Sequence, residues 1–469
     1  MLFDTPIYLL FIVIVVLIYW RLRFHWQNRF LLAASYLFYA WWDWRFLLLM
    51  LASTGIDYLI ALRIEDAEDP RRKRLLLVVS LVINFSILGF FKYCNFFIDS
   101  FAVPAHFFGI EVSKGFLQIV LPPGISFYTF QEVAYIVDVY KGRLSASRSI
   151  SEYSLFISLF PHLIAGPIQR PSHLLPQVQN PRRFDPDVFF DGVMLILEGL
   201  VRKCVIADNC ALIANAAFGG SLGKPSLMVT LLGMYAFAWQ IYGDFSGYSN
   251  IARGSAQLMG FHFMVNFRQP YLAESLQDFW RRWHISLSTW LRDYLYIPLG
   301  GNRHGSSQTY RNLLTTMLVG GLWHGANWTF VAWGGIHGAG LATERALGID
   351  DTPPSRPSVL SRWIRRILVF HIVCLAWIFF RARSFSQVFS LLAGLTVWQW
   401  TDKFWISTKF LLMFSLPLFL IDLWLERSGD EYLFQSASLP SRLAFATAAS
   451  LLTAFYGANQ ANAFIYFQF

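Results

Sequence analysis

The chain has 469 residues, of which 55% are hydrophobic, 18% aromatic and only 14% charged, with a formal net charge of +9. A soluble domain averages about 25% charged residues, so there is too little polar surface here to coat a globule in water. The positive balance reads as basic cytoplasmic loops rather than a nucleic-acid surface, because Lys and Arg are retained on the cytoplasmic side and no nucleic-acid-binding pattern accompanies them.

Residues 5–20 (TPIYLLFIVIVVLIYW) form the first uncharged run, preceded by Asp4 and followed by Arg21 and Arg23. A cleavable secretory peptide has its basic residues first, so this order predicts a spanning helix with its start outside and the arginines inside. Short runs at 30–42 and 46–56 flank Trp41, Trp42 and Trp44 and predict an out-and-back hairpin. Arg71, Arg72, Lys73 and Arg74 then precede the run 75–91. Further runs lie at 115–131, 153–169, 225–243, 313–343, 367–380, 384–401, 410–421 and 443–469. A helix needs about 20 residues to cross the hydrocarbon. The expected fold is therefore all-α and polytopic, with about 10–12 spanning or half-spanning helices in one membrane-embedded domain over residues 1–469. Arg29, then Arg182, Arg183, Arg202 and Lys203, then Arg356, Arg362, Arg365 and Arg366 mark the other cytoplasmic segments. The four cysteines, Cys94, Cys204, Cys210 and Cys374, form no C-x-x-C pair and read as small buried residues. No metal site is expected.

Four places are too polar for their surroundings, and ionisable groups at membrane depth usually line cavities and act there. FPHLIAGPIQRP at 160–171 breaks helical regularity around His162, although a kink residue with its polar atoms satisfied explains it as well. Asp244 is the only charge in residues 225–252 and needs a partner, structural or functional. Residues 275–303 predict an amphipathic interfacial helix, opened by a Ser275/Asp278 capping box and closed by Pro298, Gly300 and Gly301. On it, Arg281, Arg282 and Arg292 suit an anionic substrate, and His284 is a candidate for chemistry. In residues 313–343 only His324 and His337 are ionisable, among many glycines. Imidazole is the side chain best suited to take a proton near neutral pH, which singles out His324. On one continuous helix, His337, thirteen residues later, points to a well-separated face.

Together, PPGISFYTFQEVAYIVDVYKG, FPHLIAGPIQRP, YGDFSGYSN, DFWRRWHISLSTWLRDYLYIPLGGN and LVGGLWHGANWTF resemble the membrane-bound O-acyltransferases, most closely their bacterial alginate O-acetylase branch. The resemblance runs from about residue 30 to the end. It implies a helical bundle around a central cavity or tunnel, in the bacterial inner membrane. It implies acyl transfer from a cytoplasmic thioester towards an acceptor outside, with acetyl coenzyme A as donor and no permanently bound cofactor. His324 is then the catalytic histidine and His284 the second, with Asp244, Trp323, Asn302 and Arg303 in support. The partners implied are the bilayer and an exported polysaccharide, alginate-like or acetylated cellulose, or periplasmic proteins that relay the acetyl group. D-alanyl transfer to teichoic acid is the alternative within the family. A transporter or pore is the alternative outside it, since intramembrane histidines and glycine-rich breaks suit a proton pathway too. Whether a covalent acetyl-enzyme forms is open: Ser246 and Ser288 are hydroxyls near these motifs, with no base paired to them by sequence.

Overall fold

The computed structural model describes residues 1–109, 119–164, 166–349, 358–457 and 464–465. Arg356, the start of the run 115–131 and most of the tail of the run 443–469 lie outside them. Among the described residues there are helices and turns but no strand. The protein is an all-α polytopic membrane protein. Among the described residues, four helices are long and apolar enough to cross a membrane: Trp44–Asp66, Pro70–Phe107, Val359–Arg381 and Phe404–Ser428. Pro6–Tyr19 and Phe385–Gly394 are shorter apolar helices.

The first helix exposes an apolar face that a soluble protein would bury. Pro6–Tyr19 buries Tyr8, Ile12, Val15 and Tyr19 while exposing Leu10, Val13, Ile14 and Leu17. An apolar outer face is stable against lipid tails, which are as apolar as Leu, so tyrosine can turn inward with its hydroxyl bonded. The Tyr8 hydroxyl meets Ser255 Oγ at 2.7 Å. Thr5, Asp43 and Asp69 cap the first, third and fourth helices, satisfying N–H groups that lipid cannot.

The chain divides into two compact units, residues 1–192 with 252–264, and residues 193–251 with 265–469. The first contains the expected tryptophan hairpin, with Phe24–Ala40 and Trp44–Asp66 joined at residues 41–43. Among the carboxylates it buries inside helices are Asp57 and Glu132. Ser80 Oγ and Asn84 Nδ2 donate to Asp57 at 2.5 and 2.7 Å, and Ser53 Oγ and Thr54 Oγ1 donate to one oxygen of Glu132 at 3.1 and 3.0 Å. Among the described residues, neither acid meets a Lys or Arg. His162 is buried here too, on the short helix Phe160–Leu163, with Nε2 3.2 Å from the Ile157 carbonyl and the ring edge-on to Phe263. One ring nitrogen thus meets a backbone carbonyl, while Nδ1 has no hydrogen-bond partner among the described residues.

In the second unit, Arg202 and Lys203 overturn their reading as cytoplasmic loop residues. Both are buried, in the wide turn Val201–Ala207 that continues Pro186–Leu200. Arg202 pairs with Glu198 at 2.7 Å and stands 3.9 Å from Asp422; Lys203 pairs with Asp208 at 2.7 Å and Asp244 at 2.8 Å. Counter-charges on neighbouring helices make this burial tolerable, and a rule about loop composition does not see them.

Candidate active site

The glycine-rich run is two helices rather than one. Ser306–His324 stops at His324, the chain turns through extended Gly325, and Asn327 starts Trp328–Ala346 by accepting the Thr329 N–H at 3.0 Å. The glycines let the two arms touch backbone to backbone. A Cβ on Gly321 would run into the Phe330 carbonyl oxygen, one on Gly334 into the Met317 carbonyl oxygen, and one on Gly325 into the Phe330 ring. The break puts His324 at the carbonyl end of a helix, facing back towards the second arm. His324 is buried, 3% exposed. Its ring lies 5.0 Å from Trp323, 5.1 Å edge-on from Trp333 and 5.3 Å from Phe380. His337 also reaches Trp333, at 4.9 Å, so the turn brings into one cluster two histidines that a continuous helix would have separated.

The amphipathic segment is broken as well. Leu276–Arg282 begins with the expected cap, the Asp278 N–H donating to Ser275 Oγ at 2.9 Å. Ile285–Leu291 follows, and His284 between them has φ 43°. That left-handed conformation is uncommon for a residue with a Cβ and needs external support. Asn266 supplies it. Its carbonyl accepts the Ile285 N–H at 3.0 Å, and its Oδ1 accepts from the Ser286 N–H and hydroxyl at 3.2 and 3.0 Å. The same Oδ1 lies 3.1 Å from His284 Nδ1, while Asn266 Nδ2 donates to Ser249 Oγ at 3.1 Å.

This arrangement assigns the tautomer. Oδ1 can only accept, so His284 Nδ1 carries the proton and Nε2 presents a lone pair. His284 is 0% exposed, and burial pushes its imidazole down to about 3, so the ring stays neutral. Nε2 has no hydrogen-bond partner among the described residues. The His284 and His324 ring centroids are 6.4 Å apart, close enough for one substrate oxygen to reach both rings at hydrogen-bond length. Phe245 covers His284 edge-on at 4.6 Å, and Trp323 lies 6.1 Å away.

The remaining sequence candidates take different places. Asp244, next to Phe245, is held by Lys203 and accepts the Ile465 N–H at 2.8 Å, which is a structural partnership. Arg282 is engaged by Asp278 and Glu426, each at 2.7 Å. Arg281 and Arg292 are exposed, and Arg292 pairs with Asp293 at 2.7 Å. Asn302 and Arg303 are exposed in the turn before Ser306–His324. The Ser246 hydroxyl accepts from Arg202 at 3.3 Å, and that of Ser288 donates to the Trp283 carbonyl at 3.0 Å. Asn266 was missed from sequence: it is neutral, and it stands eighteen residues before the histidine it positions.

The profile of MBOAT, the membrane-bound O-acyltransferase family, matches residues 143–383. The chain is 44% identical to the probable alginate O-acetylase AlgI of Azotobacter vinelandii, over 86% of this chain and 79% of that protein. It is 43% identical to the protein of the same name from Pseudomonas aeruginosa, over 86% and 76% respectively. It is 36% identical to the peptidoglycan O-acetyltransferase of Helicobacter pylori, over 84% and 80%. The matched span contains His162, Asp244, His284 and His324.

Proposed function

The chain belongs to the membrane-bound O-acyltransferase family and is an O-acyltransferase, and from that premise we propose that it carries acetyl groups from cytoplasmic acetyl coenzyme A to an exported, alginate-like polysaccharide. The site of action is the bacterial cytoplasmic membrane, and the acceptor is the polymer or a periplasmic protein that relays the acetyl group. The observation that carries the reading is the buried imidazole pair, one ring neutral with an open lone pair and the other 6.4 Å away at a helix C-terminus.

The ends of the two helices divide the roles. His324 closes Ser306–His324, at the negative end of the helix dipole, which favours the positive charge that a base acquires. His284 stands at the N–H end of Ile285–Leu291, where that charge is disfavoured. His324 is therefore the base. It takes the acceptor hydroxyl proton as the oxygen attacks the thioester carbon, the new C–O bond forms and the C–S bond breaks. The same ring then returns the proton to the leaving sulfur. His284 stays neutral and orients the reacting groups. Trp323, Trp333 and Phe380 keep water from the thioester, which would otherwise be hydrolysed. Arg281 and Arg292 suit the donor's phosphates at the cytoplasmic mouth.

Purified protein in lipid, given radiolabelled acetyl coenzyme A and an alginate oligomer, should release thiol and label the oligomer in a His324-dependent manner. Ion flux without thiol release would replace this reading with transport.

A further inference from the structure

His337 has no part in the chemistry above, and its surroundings give it no structural role. It is 0% exposed in Trp328–Ala346. Phe279 stacks on it at 6.0 Å with an interplanar angle of 10°, while Trp280 and Trp333 meet it edge-on at 5.1 and 4.9 Å. Neither Nδ1 nor Nε2 has a hydrogen-bond partner among the described residues. A neutral imidazole always has one N–H donor and one lone pair, and burying either unmatched costs free energy. Phenylalanine would fill the same aromatic cage without that cost. An imidazole here suits a polar group that arrives with a ligand.

The position of the cage indicates which ligand. Trp333 touches His324 on one side and His337 on the other, so the cage adjoins the reacting centre. Beyond His337 the helix runs on to Glu344, whose carboxylate accepts the Leu276 and Gln277 N–H groups at 2.6 and 3.1 Å. Arg345 follows, and Arg362 and Arg365 begin the next helix, so this is the basic end of the hairpin. A donor entering from the basic, cytoplasmic end meets His337 before His324. Its arm carries secondary amides behind the thioester.

We propose that His337 is a positioning residue for the acyl donor, its ring N–H donating to an amide carbonyl of the thioester-bearing arm and so placing the thioester carbon at His324. This rests on the acetyl-donor reading above. The test compares two donors in the full-length protein in lipid: S-acetyl-N-acetylcysteamine, which keeps an amide, and S-propyl thioacetate, which has none. Wild type should prefer the first. H337F, which leaves a flat ring in the cage, should lower kcat/KM for the amide donor about tenfold, the loss of one hydrogen bond, and leave the other donor unchanged. H337Q keeps an N–H and should retain most of the preference. H337L serves as the apolar variant if H337F does not accumulate folded. Equal losses on both donors, or an unaltered preference, overturn the inference while leaving the acetyl-donor reading intact. A wild type that uses neither these thioesters nor acetyl coenzyme A overturns both.

Discussion

Two buried polar regions of the second unit differ in how completely their groups are matched. Around Arg202 and Lys203, each charge has a counter-charge within 4 Å: Glu198 and Asp422 for the first, Asp208 and Asp244 for the second. At His284 Nε2 and at both nitrogens of His337, ring atoms are buried with no hydrogen-bond partner among the described residues. The first region is a set of ion pairs in which each cation meets carboxylates inside the protein. The second is open, and open polar groups are where a ligand completes the structure. On the mechanism proposed above, the acting imidazoles belong to the second region and the ion pairs to the first.

The sharpest way to break this contrast is to remove the base. H324A should lower acetyl transfer by at least about 10²-fold, the lower bound for a general base, with unchanged folded yield and melting temperature. A large fall in melting temperature instead would place His324 among the structural residues. The converse substitution is K203M. It leaves two buried carboxylates without their cation and should cost about 3–5 kcal/mol of stability, read by thermal unfolding in detergent. D244N should also act through stability, so the specific activity of its folded fraction should stay within about threefold of wild type. A thousandfold loss in stably folded D244N would move Asp244 from the closed region to the open one.

A smaller effect is expected at the hinge between positioning and chemistry. N266A removes the oxygen that holds His284 Nδ1–H and the Ser286 hydroxyl. The loss of a partner that orients a functional imidazole typically costs about 10–100-fold. N266A should fall in that range on kcat, with the preference between acetyl donors unchanged, because the amide contact is assigned to His337. A matching collapse of donor preference would mean that one positioning network serves both histidines.

The helical membrane class and the histidine motifs were legible in the sequence because hydropathy and residue type report them directly. What it concealed has specific causes. The uncharged runs end at Ile56 and Gln131, one residue before Asp57 and Glu132, which the first unit buries inside helices. A continuous helical wheel separated His324 from His337, whereas the turn at Gly325 brings both to Trp333. Lys203 looked like a loop residue because its partners, Asp208 and Asp244, are neighbours in space through a fold that composition does not encode. Three-dimensional pairing decides whether a polar residue is closed or open, and pairing is the information a single chain of letters holds least plainly.

The last effect concerns acid. The His284 imidazole is pushed down to about 3 in the folded protein, against an ordinary value of about 6.5. Between those values the unfolded chain binds a proton at this residue and the folded chain does not. Stability contributed here is therefore fully present above about pH 6.5 and declines as pH falls towards 3, with a slope near 1.4 kcal/mol per pH unit. H284N removes that one proton while tolerating the left-handed backbone, which asparagine adopts more readily than most residues. Its stability should fall less steeply between pH 6 and 4 than that of wild type, by about one proton in the slope. An unchanged slope would mean that His284 already takes up its proton in the folded state. The neutral, lone-pair-bearing ring assigned to it would then be wrong, and the open region would lose one of its two members.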